Sequence, residues 1–306
     1  MATVLIYSDK INMALELLTA AREIGAAAIK AVTINDSQAA QELANAGAEV
    51  YNIDADVNLA DAAVAASALA QAAEQLQADI ILLSSNRRCK EYAGRLAQII
   101  GAGCLTDVTA LQVNGGQIEC QRNALGGATV ATQTVTAARQ VIAIRPRTYE
   151  AAAAGSGGSV NNLQVTVPPS AVKLVEVRGK EGDTVDIEAA EILVAVGQGM
   201  ENKEDLPLAE ELARKLGGEV ACSKPLATDR KWLSEERIVG LSGKKCKPQL
   251  ALLFGISGQV QFTVGIRDAR VIASVNTDEN ASINQMSDYI LTADLKDVLA
   301  ELNKAL

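Results

Sequence analysis

The chain has 306 residues, 49% of them hydrophobic but only 3% aromatic, a length that suits two domains with cores built from Ala, Val, Leu and Ile. Its net charge of −9 disfavours nucleic acids and anionic membranes as partners. The absence of histidine excludes His-based triads, His acid–base catalysis and His-ligated metal sites.

The first half alternates β-branched apolar runs with Ala/Leu-rich segments at helical spacing. Strands are expected over 3–7, 29–34, 50–53 and 79–83, with helices over 12–24, 37–46, 58–76 and 91–100. Ser37 is the expected N-cap of the second helix. This rhythm predicts a parallel sheet. The first residues lack a basic segment and read as a buried strand, not a signal peptide. No apolar run is long enough to span a bilayer, so a soluble cytoplasmic protein is expected.

The pattern changes after Cys104. Strands are expected over 109–113, 117–120, 128–135 and 140–144, with Asn114-Gly115-Gly116 marking a hairpin. Together they predict an antiparallel extension. Residues 151–158, rich in Ala and Gly, read as a loop. Two more strands are expected over 165–169 and 172–177. Five scattered cysteines without a C-x-x-C pair form no disulfide framework or iron–sulfur signature.

A second α/β unit is expected from Asp186. Its strands are predicted over 192–196, 219–222, 250–254, 271–275 and 289–291, with helices over 206–216 and 295–306. The fold class is thus α/β in two domains, 1–185 and 186–306, each a three-layer unit around a parallel sheet, the second Rossmann-like.

In an open parallel sheet, ligands bind beyond the carboxyl ends of the strands. Gly197-Gln198-Gly199 follows one strand directly, a pattern that suits either a close ligand approach or a simple strand-ending turn. Gly240-Leu241-Ser242-Gly243-Lys244 combines glycine, a hydroxyl and a cation, but lacks P-loop spacing and could equally be a solvated loop. Gly255-Ile256-Ser257-Gly258 ends a buried strand and opens a segment, through Gln259 and Gln261, that can be helical and can offer amides to an anion. Its spacing is one residue short of a nucleophile elbow, and no histidine exists to activate the serine. Asn276-Thr277-Asp278 ends the next strand, where it can reach a ribose or phosphate or form an Asx turn.

These motifs, taken with Ala221-Cys222-Ser223-Lys224-Pro225, Lys231-Trp232, Lys247-Pro248-Gln249-Leu250 and Ser287-Asp288-Tyr289, resemble the alpha subunit of electron-transfer flavoproteins. The branch associated with anaerobic acyl-CoA and carnitine metabolism is the most similar. The resemblance covers the whole chain and is most specific over 191–306. In the first half it is carried by Arg95-Leu96-Ala97, Thr106-Asp107-Val108 and Ala143-Ile144-Arg145-Pro146-Arg147.

The resemblance implies FAD bound across the second domain and a first domain packed on a homologous beta subunit. It implies electron transfer between a dehydrogenase, of acyl-CoA type, and an acceptor. By the same resemblance Ser223 and Lys224 stand near the flavin ring. Gly197, Gln198 and Gly199 form the first turn, and Gly240, Leu241, Ser242, Gly243 and Lys244 line flavin and ribityl. Gly255, Ile256, Ser257, Gly258, Gln259 and Gln261 hold pyrophosphate and ribityl. Asn276, Thr277, Asp278, Ser287 and Asp288 serve the AMP half.

This sequence departs from the family at Gln198 and Lys224, where Arg is usual, and at Phe262, where His is usual. It also departs at Thr277 (Lys), Ile290 and Ala293 (both Gly). Arg to Lys loses the planar fork, and weaker positive charge near the ring lowers the flavin's potential. Two rival readings are a nucleotide-dependent enzyme using the first domain and a flavin-free or AMP-binding scaffold of the same family. Asn86-Arg87-Arg88 reads as a surface or beta-subunit contact, the acids over 201–211 as a solvated helix face, and Trp232 as a structural anchor.

Overall fold

The computed structural model describes residues 2–127, 129–155, 157–177 and 185–306. The chain divides into two compact units, Met1–Val177 and Arg178–Leu306. The expected domain border at 185/186 follows the segment 178–184, which lies outside the described residues, as do Met1, Ala128 and Ser156.

The first unit opens with β1 (Thr3–Tyr7), α1 (Ile11–Glu23), β2 (Ala28–Ile34), α2 (Ser37–Asn45), β3 (Glu49–Ile53), α3 (Ala62–Gln75), β4 (Ile80–Ser84) and α4 (Arg87–Ile100). It continues with β5 (Gly103–Asn114), β6 (Gln117–Ala124), β7 (Thr129–Thr134), β8 (Gln140–Ile144) and β9 (Ser159–Asn162). The sheet order is β7-β6-β5-β8-β4-β1-β2-β3-β9. One core joins β1, β4 and β8 to the Ala-rich α3 and to α4, through Leu69, Tyr92 and Leu96. The opposite face packs on α1 and α2, through Leu17, Leu18 and Leu43. Both faces of the central strands are therefore covered, which is why β4 is buried throughout and apolar up to Ser84.

Side-chain capping sets three helix starts and shifts two of them from their expected places. The cap of α2 is Asp36, not Ser37, and its carboxylate accepts the Ala39 N–H. Asp61 caps α3, so residues 58–61 precede the helix instead of opening it. Asn86 caps α4 by accepting the Cys89 N–H, so the helix begins at Arg87 and not at residue 91.

The antiparallel extension consists of β5, β6 and β7. β8, expected within it, instead lies parallel between β4 and β5 in the sheet core. Val141–Ile144 are all buried, as a strand covered on both faces requires. The strands expected over 165–169 and 172–177 are absent. Pro168 and Pro169 cannot donate to a ladder. Gln71 on α3 instead bonds the Thr166 N–H and C=O, both at 2.8 Å, so this segment runs along a helix. The strand the chain does form here is β9.

The second unit contains β10 (Ile192–Val196), α5 (Leu206–Leu216), β11 (Glu219–Cys222), α6 (Lys224–Thr228) and β12 (Leu250–Phe254). It ends with α7 (Val260–Thr263), β13 (Val271–Asn276), β14 (Tyr289–Thr292) and α8 (Leu295–Ala305). All pairings in its sheet, ordered β11-β10-β12-β13-β14, are parallel. One face packs on α5 and α8, through Leu212 and Leu299. The other is covered by Ile187, Val239, Phe262, Ile266 and Ile283, so its third layer is mostly irregular chain around short α7. Among the described residues no helix is long and apolar enough to cross a membrane.

Candidate functional site

The carboxyl ends of β10, β11, β12 and β13 open into one cleft of about 660 Å³. That size is ordinary for a small-molecule site.

Its first wall is the turn after β10, where Gly197, Gln198 and Gly199 all line the cleft. The Gly197 N–H donates to Phe254 O (2.8 Å) and the Gly199 N–H to Gly255 O (3.0 Å). A Cβ on Gly197 would stand 2.3 Å from Gly255 O, and one on Gly199 2.7 Å from Gly255 Cα. Gly255 itself has φ +62°, in the left-handed region. Two strand-ending turns can lie this close only because all three residues lack side chains.

The second wall follows β11. Ser223, Lys224, Pro225, Thr228 and Asp229 line it. Ser223 precedes α6, yet its hydroxyl does not cap the helix. Its Oγ is buried and has no hydrogen-bond partner among the described residues. Beneath it, burial pushes the Cys222 thiol up to about 12. A thiol that stays protonated at neutral pH is no nucleophile.

The third wall comes from the turn after Val239. Leu241 and Ser242 line the cleft, whereas Gly240, Gly243 and Lys244 do not. Those three hold the turn shut: the Gly240 N–H donates to Lys244 O (3.1 Å), and the Lys244 N–H donates to Ile238 O (2.8 Å). The Lys244 ammonium pairs with Glu236 at 3.3 Å.

The floor is the loop after β12, with Gly255, Ile256, Ser257, Gln259, Gln261 and Phe262 on the lining and Gly258 off it. Among the described residues, the N–H groups of Ile256, Ser257, Gly258 and Gln259 make no hydrogen bond. Four consecutive free donors beside a cleft form an environment for an anion. The loop is held from outside: Asn276 Nδ2 donates to Ile256 O (2.9 Å), and the Ile283 N–H donates to Ser257 O (3.1 Å).

Asn276, Asp278 and Ala281 form the last wall, and Thr277 stands outside it. Asn276 Oδ1 accepts the Asp278 N–H at 3.0 Å, an Asx turn. Its side chain thus spends both ends shaping the loops. Ser287 and Asp288 lie away from the cleft. They precede β14, and a parallel strand starts at the amino edge of the sheet, opposite the cleft. There Asp288 accepts the Ile272 N–H at 2.8 Å, while Ser287 donates to Ile283 O at 2.9 Å.

Sequence reasoning did not select Pro225, Thr228, Asp229, Val239 or Ala281 as site residues. Thr228 stands one helical turn from Lys224, so the α6 period was the available signal. Asn86, expected at the surface, is engaged in the fold: it caps α4 and donates to Asp9 at 2.6 Å.

The charged lining is Lys224 against Asp229 and Asp278. The donors on the lining are backbone amides, the Ser223, Ser242 and Ser257 hydroxyls, the side-chain amides of Gln198, Gln259 and Gln261, and the Lys224 ammonium. That set fits a dinucleotide-sized ligand whose phosphates are bound by amides, and among the described residues no group of three His, Cys, Asp or Glu could hold a metal ion.

Residues 186–267 match the model of the electron transfer flavoprotein FAD-binding domain, and residues 8–170 match that of the electron transfer flavoprotein domain. The protein FixB of Escherichia coli O157:H7 is 31% identical over 304 residues, covering 98% of this chain and 97% of FixB. FixB of Shigella flexneri aligns with the same identity and coverage. Among solved structures, Acinetobacter baumannii MurG aligns at 11% identity over 100% of this chain and 90% of its own, with a TM-score of 0.33, too loose a likeness to inform the fold. The two family matches and the near full-length likeness to FixB make this chain a member of the electron transfer flavoprotein family, of the alpha-subunit type.

Proposed function

We propose that the chain holds one FAD in the cleft of its second unit and carries electrons between a dehydrogenase, of acyl-CoA type, and an acceptor. It does so in the cytoplasm as a heterodimer with a beta subunit, which packs on the first unit. The observation that carries this reading is the pairing of the free amides at 256–259, in a loop whose Ile256, Ser257 and Gln259 line the cleft, with the unpartnered Ser223 hydroxyl on the same cleft, inside the FAD-binding match.

FAD, when bound, supplies the redox chemistry. The chain's own residues bind and orient it. The amides at 256–259 take a phosphate, and the tight 197–199 turn lets the ligand approach the backbone. Ser223 donates or accepts one hydrogen bond at the second wall. Lys224 contributes the positive charge, as a mobile point charge without the fork of an arginine. Phe262, 7% exposed, adds an apolar surface that excludes water but offers no proton. With one cation and two carboxylates on the lining, the site favours the oxidised flavin over an anionic reduced form. The flavin's potential is therefore expected below that of family members with the usual Arg and His.

The test is an absorption spectrum of the chain purified with its beta subunit, with the released flavin identified after denaturation. Two oxidised-flavin bands and about one FAD per chain are expected. A colourless heterodimer that takes up no added FAD would overturn the reading and favour the flavin-free scaffold, for which the buried Phe262 is the supporting observation.

A further inference from the structure

Arg230 is absent from the cleft lining, yet it ties two of the walls together. Its Nη1 donates to Met200 O. Met200 closes the first turn, donating its N–H to Gly197 O at 3.0 Å. The Arg230 N–H donates to Pro225 O (3.0 Å), in the first turn of α6. Its guanidinium carbon lies 4.7 Å from the ring centroid of Trp232. Trp232 packs on the core that contains Met200 and Leu226, and its N–H donates to Leu226 O at 2.9 Å.

Between the stacked pair, Lys231 has φ 53°, a left-handed conformation that is uncommon for a residue with a side chain. A strained backbone, a cation–π contact and a charge-assisted hydrogen bond thus converge on one guanidinium. It sits between the turn that presents Gln198 and the helix that presents Lys224 and Asp229.

We infer that Arg230 is a positioning residue: it fixes the 197–200 turn against α6 and so sets the opening into which the ligand fits, an effect on affinity that rests on the flavin reading above. The hold on the turn is a property of the fold alone. A lysine cannot replace it, because an ammonium has no planar face to stack while its nitrogen reaches the Met200 carbonyl.

The full chain, Arg230→Lys and Arg230→Gln are compared by hydrogen exchange of the 197–200 amides and by FAD titration, with Trp232, the sole tryptophan, as an emission probe. Both variants are expected to exchange faster at this turn while β10 and β11 keep their protection. Both raise the Kd for FAD by about tenfold, and both shift Trp232 emission in the ligand-free chain. Wild-type affinity in Arg230→Lys would overturn the inference, since charge alone would then suffice. So would unchanged exchange at 197–200 in Arg230→Gln. If Arg230→Gln does not fold, Trp232→Leu removes the stacking partner and faces the same two criteria. If the wild-type chain binds no FAD, the flavin reading fails by itself, and the exchange rates alone decide whether Arg230 holds the turn.

Discussion

Ser223 shows how a single side chain can be assigned by what it lacks. A buried hydroxyl without a partner destabilises the free protein, because it has lost water and gained nothing. Ser223→Ala is therefore expected to leave the melting temperature of the ligand-free chain unchanged or slightly raised. The same substitution should weaken FAD by roughly 1 kcal/mol, about fivefold. Melting and titration of one variant check both signs, and a drop in melting temperature with unchanged affinity would make Ser223 purely structural. Gly199 has the opposite character. A Cβ there would meet Gly255 Cα at 2.7 Å, backbone against backbone, so no rotamer change can relieve it. Gly199→Ala is expected to cost about 1–3 kcal/mol of stability and to empty the cleft by forcing the two turns apart. Calorimetric unfolding and flavin stoichiometry measure the two effects.

Among the elements, α3 depends on a residue outside it. Asp61 Oδ1 accepts the Ala63 N–H, while Oδ2 accepts the Ser170 hydroxyl (2.9 Å) and the Ala171 N–H (3.0 Å). The Ser170 hydrogen bond, ahead of those from the backbone, holds the Asp61 carboxyl below the usual carboxylate range. A pKa lowered by folding means stability that is present above the unfolded value and lost as pH falls through the folded one. Wild-type urea midpoints should thus drop as pH falls below about 4, with a flatter profile and a lower neutral midpoint in Asp61→Asn. Parallel profiles for the two proteins would show that the carboxylate charge does not matter. Asp61 also marks where the sequence was legible and where it was not. Period and composition located most strands and the longer helices of both units, because each buries its own apolar face, but not β9, whose four residues are exposed, or the short α6. Helix starts at Ala62 and Arg87 shifted because a side-chain cap outweighs apolar period there. The place of β8 and the fate of residues 165–177 depend on partners far along the chain, β4 and Gln71, which local pattern does not contain. The glycine turns of the site were legible since their constraint is local. Ser287 and Asp288 were misplaced by motif order, which does not record that β14 begins at the far edge of its sheet.

At the scale of the whole molecule, charge sets how the cleft can hold an anion. The chain carries 37 acidic and 28 basic residues, and the lining itself adds one lysine to two aspartates. A dinucleotide's phosphates therefore approach against a repulsive field. Their attraction comes from amides at 256–259, whose dipoles act at hydrogen-bond range and release no counterions. Salt screens the long-range repulsion, with a Debye length of ~10 Å at 0.1 M, and leaves the short-range donors nearly untouched. Raising ionic strength from about 0.05 to about 0.5 M should consequently leave the Kd for FAD unchanged or slightly lower. A site built on lysines and arginines would respond the other way, because salt screens their attraction. Flavin fluorescence titrations across that range discriminate the two. A Kd that climbs steeply with salt would mean that cations off the lining, Lys244 first among them, swing in to hold the phosphates, and that the Lys244–Glu236 pair opens when the ligand binds.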